Sequence, residues 1–224
     1  RRRHAGHDRL EHIGHAHAGF GRNANGGGSI DPDHFFNLGL NRTVGDKISI
    51  IPLGYFSGRL YMEKEGKGLL CKSIDRVYGD PGGQDPGGAP TTECQRCVFS
   101  KWVGKIPAPC AVTYNYPALY RGAEDEKWKG GFFSFRGTGS DTAKQMNGDH
   151  EADGKPWFFY EYEFTSKMMS NNRGQDWFII QARRTRETTL DERKYAYGEA
   201  VALASRRLDE AIQTEHIAGD ETPA

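Results

Sequence analysis

No stretch of this chain is apolar for anything near the ~20 residues that a membrane-crossing helix needs, which excludes an integral membrane protein of the helical kind. Net charge is missing as well. Lys and Arg total 30, Asp and Glu total 30, so the bulk field does not attract a polyanion. Any nucleic-acid binding must then use a local basic face. There is no G-x-x-x-x-G-K-[ST] phosphate loop and no G-x-S-x-G elbow, which argues against two common enzyme classes. No apolar run follows Arg1-Arg2-Arg3-His4, so no secretory leader is expected. Apolar content is low, at 36% with a mean hydropathy of −0.74, yet 12% aromatic is too rich for a disordered chain. The aromatics cluster in the middle, which predicts an ordered centre with polar ends.

Cysteine is scarce too, and its scarcity is informative. The four thiols fall as C-x22-C-x2-C-x12-C, at Cys71, Cys94, Cys97 and Cys110. Two thiolates two residues apart can grip one tetrahedral ion from a single turn. Two more from flanking segments close the shell, and a closed four-thiolate shell is the pattern of structural zinc. Two disulfides would suit a secreted chain. A redox pair would sit where a helix follows a strand, but here the surroundings are Gly79-Asp80-Pro81-Gly82-Gly83 and Pro107-Ala108-Pro109, which is loop chemistry. Zinc is the reading taken, with His34 and His150 as spare ligands.

Residues 1–29 read as a disordered tail. It holds five of the eight histidines and ends in a Gly-rich linker. One domain is expected over 30–213, carrying a cysteine insertion at 63–110, with a flexible tail over 214–224. Ile48 and Ile50 alternate with polar residues. Tyr114, Tyr116, Ala118 and Tyr120 share a face by period two, and Phe132–Arg136 is a short strand. Ser140–Asn147 suits a brief helix. Trp157–Phe164 is an aromatic strand, with Glu161 and Glu163 on its outward face. Asn171-Asn172-Arg173-Gly174 turns it into a partner at Trp177–Ala182. Thr189 and Glu192 form a capping box for a last helix, whose stripe runs Leu190, Tyr197, Val201, Ala204, Leu208, Ile212. The fold class is mainly β with α (α+β): an OB-like antiparallel barrel with a zinc-binding insertion and a C-terminal helix, with a generic antiparallel sheet as the alternative.

This order of pieces resembles a group of bacteriophage proteins that act as, or are taken to be, single-stranded DNA-binding proteins with an OB-type barrel and a cysteine-bearing loop. The residues that carry the resemblance are Gly68-Leu69-Leu70-Cys71-Lys72-Ser73, Cys94-Gln95-Arg96-Cys97, and Pro109-Cys110 running into the strand 111–120. Phe132–Thr138, the helix at Ala143–Asn147, the aromatic hairpin and the capped helix continue it, over about residues 44–212. The resemblance implies a role in replication or recombination, partners from that machinery, and the host cytoplasm as location. One departure is the end of the chain, where Asp220 and Glu221 are the last acids in place of a strongly acidic tail.

Binding single strands without sequence preference needs aromatic faces for bases and cations for phosphates. The candidates are Tyr55, Arg59 and Tyr61; Tyr114, Tyr116, Tyr120 and Arg121; Phe133, Arg136 and Lys144. The zinc would fold the insertion and present Arg96, Lys101, Trp102 and Lys105 as a clamp, in a stretch from Cys94 to Cys110 where the sequence holds no acid. Arg183, Arg184 and Arg186 could add phosphate contacts. Core packing is the competing account of every strand aromatic. Asp125-Glu126-Lys127, or Glu161 with Glu163 on Mg²⁺, would make a nuclease, a weaker reading than a binding protein. The runner-up is a zinc-stabilised interaction or structural module with no nucleic-acid role.

Overall fold

The computed structural model describes residues 11–15, 35–37, 42–45, 47–62, 69–122, 125, 127–172, 174 and 176–204. The strands are β1 (Glu11–His15), β2 (Phe35–Asn37), β3 (Arg42–Gly45), β4 (Lys47–Pro52), β5 (Phe56–Met62), β6 (Leu69–Ser73), β7 (Tyr78–Gln84), β8 (Pro90–Glu93), β9 (Cys110–Gly122), β10 (Lys129–Phe135), β11 (Tyr160–Ser170) and β12 (Asp176–Glu187). Helix α1 (Ser140–Asp153) lies between β10 and β11, and α2 (Leu190–Ala204) follows β12. Among the described residues the protein is thus mainly β with two α-helices.

β4 and β5 run one after the other along the same edge of β9, from Ile48 opposite Gly122 to Tyr61 opposite Cys110. The break between them, at Leu53–Tyr55, faces Pro117 and Tyr116. Pro117 has no N–H to give the ladder, and its carbonyl accepts Leu53 N–H at 2.8 Å. At this bend the sheet forks. β4 takes β11 on its other edge, and β11 takes β12. β5 takes β6, which leads to β7 and β8. β10 covers the remaining edge of β9.

Among the described residues every pairing is antiparallel except that of β1 with β10, which is parallel. Among the described residues the sheet is open rather than a closed barrel: β12 pairs only with β11, and the outer edge of β10 is taken by β1. The expected 1–29 tail therefore contributes a strand. An unpaired edge is a row of free backbone donors and acceptors, and β1 satisfies this one.

The even positions of β9 behave as the period-two pattern demands. Tyr116, Ala118 and Tyr120 are fully buried among Ile48, Ile50, Phe133, Phe135, Tyr162 and Phe164, and α1 closes this core with Ala143 and Met146. Each large apolar side chain here contributes about 1.5–3 kcal/mol of burial. The odd side carries Leu119, which packs with Ile51, Leu53 and Ala196 under α2.

Two helix readings change. α1 runs on to Asp153 and ends at Gly154, whose φ of 59° is the left-handed stop that glycine adopts freely. In α2 the capping box is present: Glu192 accepts Thr189 N–H at 2.8 Å and donates its own N–H to Thr189 Oγ1 at 3.3 Å. The expected stripe, however, faces solvent at Leu190, Tyr197 and Val201, while Ala196 and Leu203 are buried. Small alanines let the helix lie close on Ile51 and Leu119, which bulky residues would prevent. Leu208 and Ile212 lie outside the described residues.

Candidate metal centre and nucleic-acid surface

The cysteine segment is assembled by register and turn. Tyr61 on β5 pairs with Cys71 on one side and Cys110 on the other, so the three residues lie abreast on adjacent strands. Cys94 and Cys97 sit on a turn in which Arg96 N–H and Cys97 N–H both reach Glu93 O, at 3.0 and 3.1 Å. Ser100 Oγ locks that turn by donating to the carbonyls of Cys94 and Cys97. Arg59 braces it from β5, donating to Ser100 O at 3.2 Å and Cys110 O at 3.1 Å.

All four thiols are buried and free, and all four line one small cavity of about 10 Å³, roughly the space of a single water-sized sphere. Tyr61 and Phe99, stacked at 4.7 Å, form part of its wall. Glycines make room for the sulfurs: a Cβ on Gly79 would stand 2.8 Å from Cys71 Sγ, and one on Gly83 would stand 2.4 Å from Cys97 Sγ.

Burial pushes the Cys71 thiol up, against a hydrogen bond from the Gly82 N–H, and the neighbouring Cys94 and Cys97 push it further. Burial raises Cys110 to about 11, opposed by Arg59 and reinforced by the other three thiols. No group of three or more His, Cys, Asp or Glu donors stands in closed metal-holding geometry among the described residues. The donor set, its number and the size of its cavity fit a tetrahedral thiolate-bound ion. His150 is not among the lining residues; it stacks on Trp157 at 3.8 Å. His34 lies outside the described residues.

The nucleic-acid candidates divide sharply. Tyr116, Tyr120 and Phe133 are core, with no face left for a base. The Tyr116 hydroxyl bonds Ala143 O at 3.0 Å and Asn147 Oδ1 at 2.6 Å, anchoring α1, and burial raises its pKa. Arg59 and Tyr61 are committed to the cysteine site. Arg121 lies 4.4 Å over the Trp128 ring and 3.8 Å from Glu161. Glu161 itself is buried, at 6% exposure, because the register shifts beside it; it pairs with Arg186 and does not face outward. Arg183 and Arg184 pair with Glu163 and Asp153.

Arg96 does meet acids: Asp85 and Glu93 stand 3.7 Å away, brought in by β7 and β8. Lys144 is exposed and holds Asp141 at 3.0 Å. Tyr55 and Tyr114 remain half-exposed and stacked at 6.3 Å, with Trp157 at 5.8 Å from Tyr55. Arg136, Lys101 and Trp102 are exposed. Asp125 ties Lys129 at 2.8 Å and caps the Gly122 N–H, a turn-forming role.

A second hollow, of about 720 Å³, opens beside the cysteine cavity and shares Cys94 and Ser100 with it. Arg76 and Tyr78 line it, and neither was singled out from the sequence. The signal was there in Arg76-Val77-Tyr78, a cation two residues from an aromatic, the same adjacency that marked Arg59 and Tyr61. No protein-family model, curated protein or solved structure matches this chain.

Proposed function

We propose that this chain is an OB-type, non-sequence-specific single-stranded DNA-binding protein whose cysteine insertion is folded by a structural zinc ion held by Cys71, Cys94, Cys97 and Cys110. The observation that carries the binding reading is connectivity. The strands β10-β9-β4-β11-β12 lie side by side in that order, with α1 between β10 and β11. That is the order of a five-stranded OB barrel left open between its third and fifth strands, a fold that binds oligonucleotides across its strands and loops. The half-buried Tyr55–Tyr114 pair at the margin of the core supplies flat faces for bases, and the exposed Lys144 supplies charge.

The zinc reading rests on a different fact. From Leu69 to Cys110 the buried side chains are the four cysteines and Ser73. A segment of that length without an apolar core of its own gains its fold from a cross-link, and zinc bound by four thiolates supplies one. The role is one of binding, not catalysis, in replication or recombination as the resemblance implies.

A zinc-stabilised protein-interaction module is the second reading, favoured by Val77, Val103 and Ile106, which are exposed on the insertion and are not base-stacking side chains. Fluorescence anisotropy of labelled oligo-dT with the zinc-loaded protein separates the two. Binding that falls steeply with salt and resists duplex competitor is the expected result. Absence of binding at low salt would remove the nucleic-acid reading and leave the interaction module.

A further inference from the structure

The 720 Å³ hollow beside the cysteine cavity has the volume of a ligand site and an unusual lining. Its acids are engaged. Asp75 Oδ1 accepts the N–H groups of Val77 at 2.8 Å and Tyr78 at 3.1 Å, with the Ser73 hydroxyl at 3.1 Å, and those backbone donors hold its carboxyl below the usual range. Glu93 stands 3.7 Å from Arg96. Of its cations, Arg59 is spent on two carbonyls. Arg76 has a long 3.4 Å contact to Ser57 Oγ and Lys101 is exposed.

Arg76 is the one non-glycine residue with positive φ among the described residues, at 66°. A left-handed backbone is strained for a residue with a Cβ. The Asp75 turn sustains it and sets Arg76 and Tyr78 on the wall of one hollow. Tyr78 is 62% exposed, a large flat ring left largely open among the described residues. Trp102, 66% exposed, directly follows Lys101.

We infer that this groove on the cysteine insertion is itself a nucleotide-contact site, taking one or two unpaired nucleotides of a single strand, with a base stacked on Tyr78 and phosphates held by Arg76 and Lys101. The inference rests on the single-stranded DNA reading and deepens it by placing contacts on the insertion rather than on the strands alone. A duplex does not satisfy the site, because its base faces are already stacked on one another and only edges are offered. An acidic peptide would meet the cations and leave Tyr78 without a flat partner. Because Cys94 and Ser100 belong to both the groove and the cysteine cavity, the groove wall is shaped by the same turn that the thiols hold.

The test is oligo-dT anisotropy over a salt series with the full chain, comparing wild type with Tyr78→Ala, Tyr78→Phe, Arg76→Gly and Lys101→Ala. Glycine at 76 removes the charge and relieves the backbone. Melting temperature and bound zinc are measured alongside. Tyr78→Ala should weaken binding about 5- to 150-fold, the range for one lost stack, while Tyr78→Phe stays near wild type. Arg76→Gly and Lys101→Ala should each flatten the slope of log K against log salt by about 0.7. If wild type binds and every variant matches it in affinity and slope, the groove is not the contact site although the broader reading stands. If wild type fails to bind at low salt, both fall together. Should Tyr78→Ala lose its fold, the slope of the exposed Lys101→Ala decides alone. Polyglutamate displacing oligo-dT at equal charge concentration would overturn the stacked-base geometry.

Discussion

The strand core and the cysteine insertion are built on opposite principles. In the core, Ile50, Tyr116, Phe133 and Phe164 are nearly without exposed surface, and the rings pack edge to face, as Phe133 does on Phe164 at 5.5 Å. In the insertion, Tyr78, Trp102, Val103 and Ile106 are all exposed, and the interior is made of thiols. One region is stabilised by removing apolar surface from water. The other has the donors of a cross-link and little else. The two regions should therefore be separable: a change in sulfur chemistry should reach the insertion and stop there.

The largest expected effect tests that directly. Exposing the zinc-loaded protein to a chelator, or replacing Cys94 and Cys97 with Ser, should abolish amide-exchange protection across residues 69–109 and leave β9, β10 and β11 protected. Structural zinc supplies on the order of 10 kcal/mol in small domains, far more than the scattered contacts of this segment. If core and insertion lose protection together, the comparison is broken and the two are one cooperative unit.

The converse comes next in size. Phe164→Ala removes a fully buried ring that touches both Phe133 and Phe135, and should cost about 3–5 kcal/mol by denaturant unfolding. The variant should still bind one zinc ion per chain. Loss of zinc along with stability would show that the insertion borrows its order from the core.

A sharper cut comes from Gly83. Its added Cβ would meet Cys97 Sγ at 2.4 Å and Phe99 at 3.1 Å, so Gly83→Ala forces the sulfur or the ring aside. Metal affinity should drop on the order of 10- to 100-fold in a chelator competition, the scale seen when support around a ligand is disturbed. The core melt should not move. Unchanged affinity would mean that Cys97 is not a ligand.

These regions were not equally legible in advance. The alternation of β9 announced a buried face, and Thr189 with Glu192 announced a helix start, because both signals are local. Which side of β9 is interior is set by β4, β11 and α1 arriving from elsewhere, so Tyr116 and Tyr120 read as surface candidates when they are core. The α2 stripe misled for a related reason: alanine has too little surface to mark a face by hydrophobicity, yet its smallness is what admits the helix to Ile51 and Leu119. Arg96 looked unopposed because Asp85 and Glu93 precede Cys94 in sequence and reach it only through the β7–β8 hairpin. The cysteine spacing named four donors, and register then put them around one cavity, while Gly79, Gly82 and Gly83 passed as mere turn residues.

Acid offers the gentlest way to tell the two regions apart. Glu192 sits at the start of α2, where it accepts Thr189 N–H and both Arg186 guanidinium nitrogens at 2.8 Å, and these partners hold its carboxyl at about 2 instead of 4.5. A carboxyl lowered by folding stabilises fully above its ordinary pKa and loses that contribution as pH falls from 4.5 toward 2. Glu192→Gln should therefore cost about 1 kcal/mol near neutrality and flatten the acid limb of the stability curve in that window. The thiols run the other way in order of failure. Protons compete with a bound cation for thiolate ligands, so a zinc-held insertion should fail in milder acid than the one in which Glu192 titrates. Exchange protection measured down the pH scale should thus vanish first over 69–109 and last around α2. Simultaneous loss would mean that a proton, like a core mutation, sees a single body.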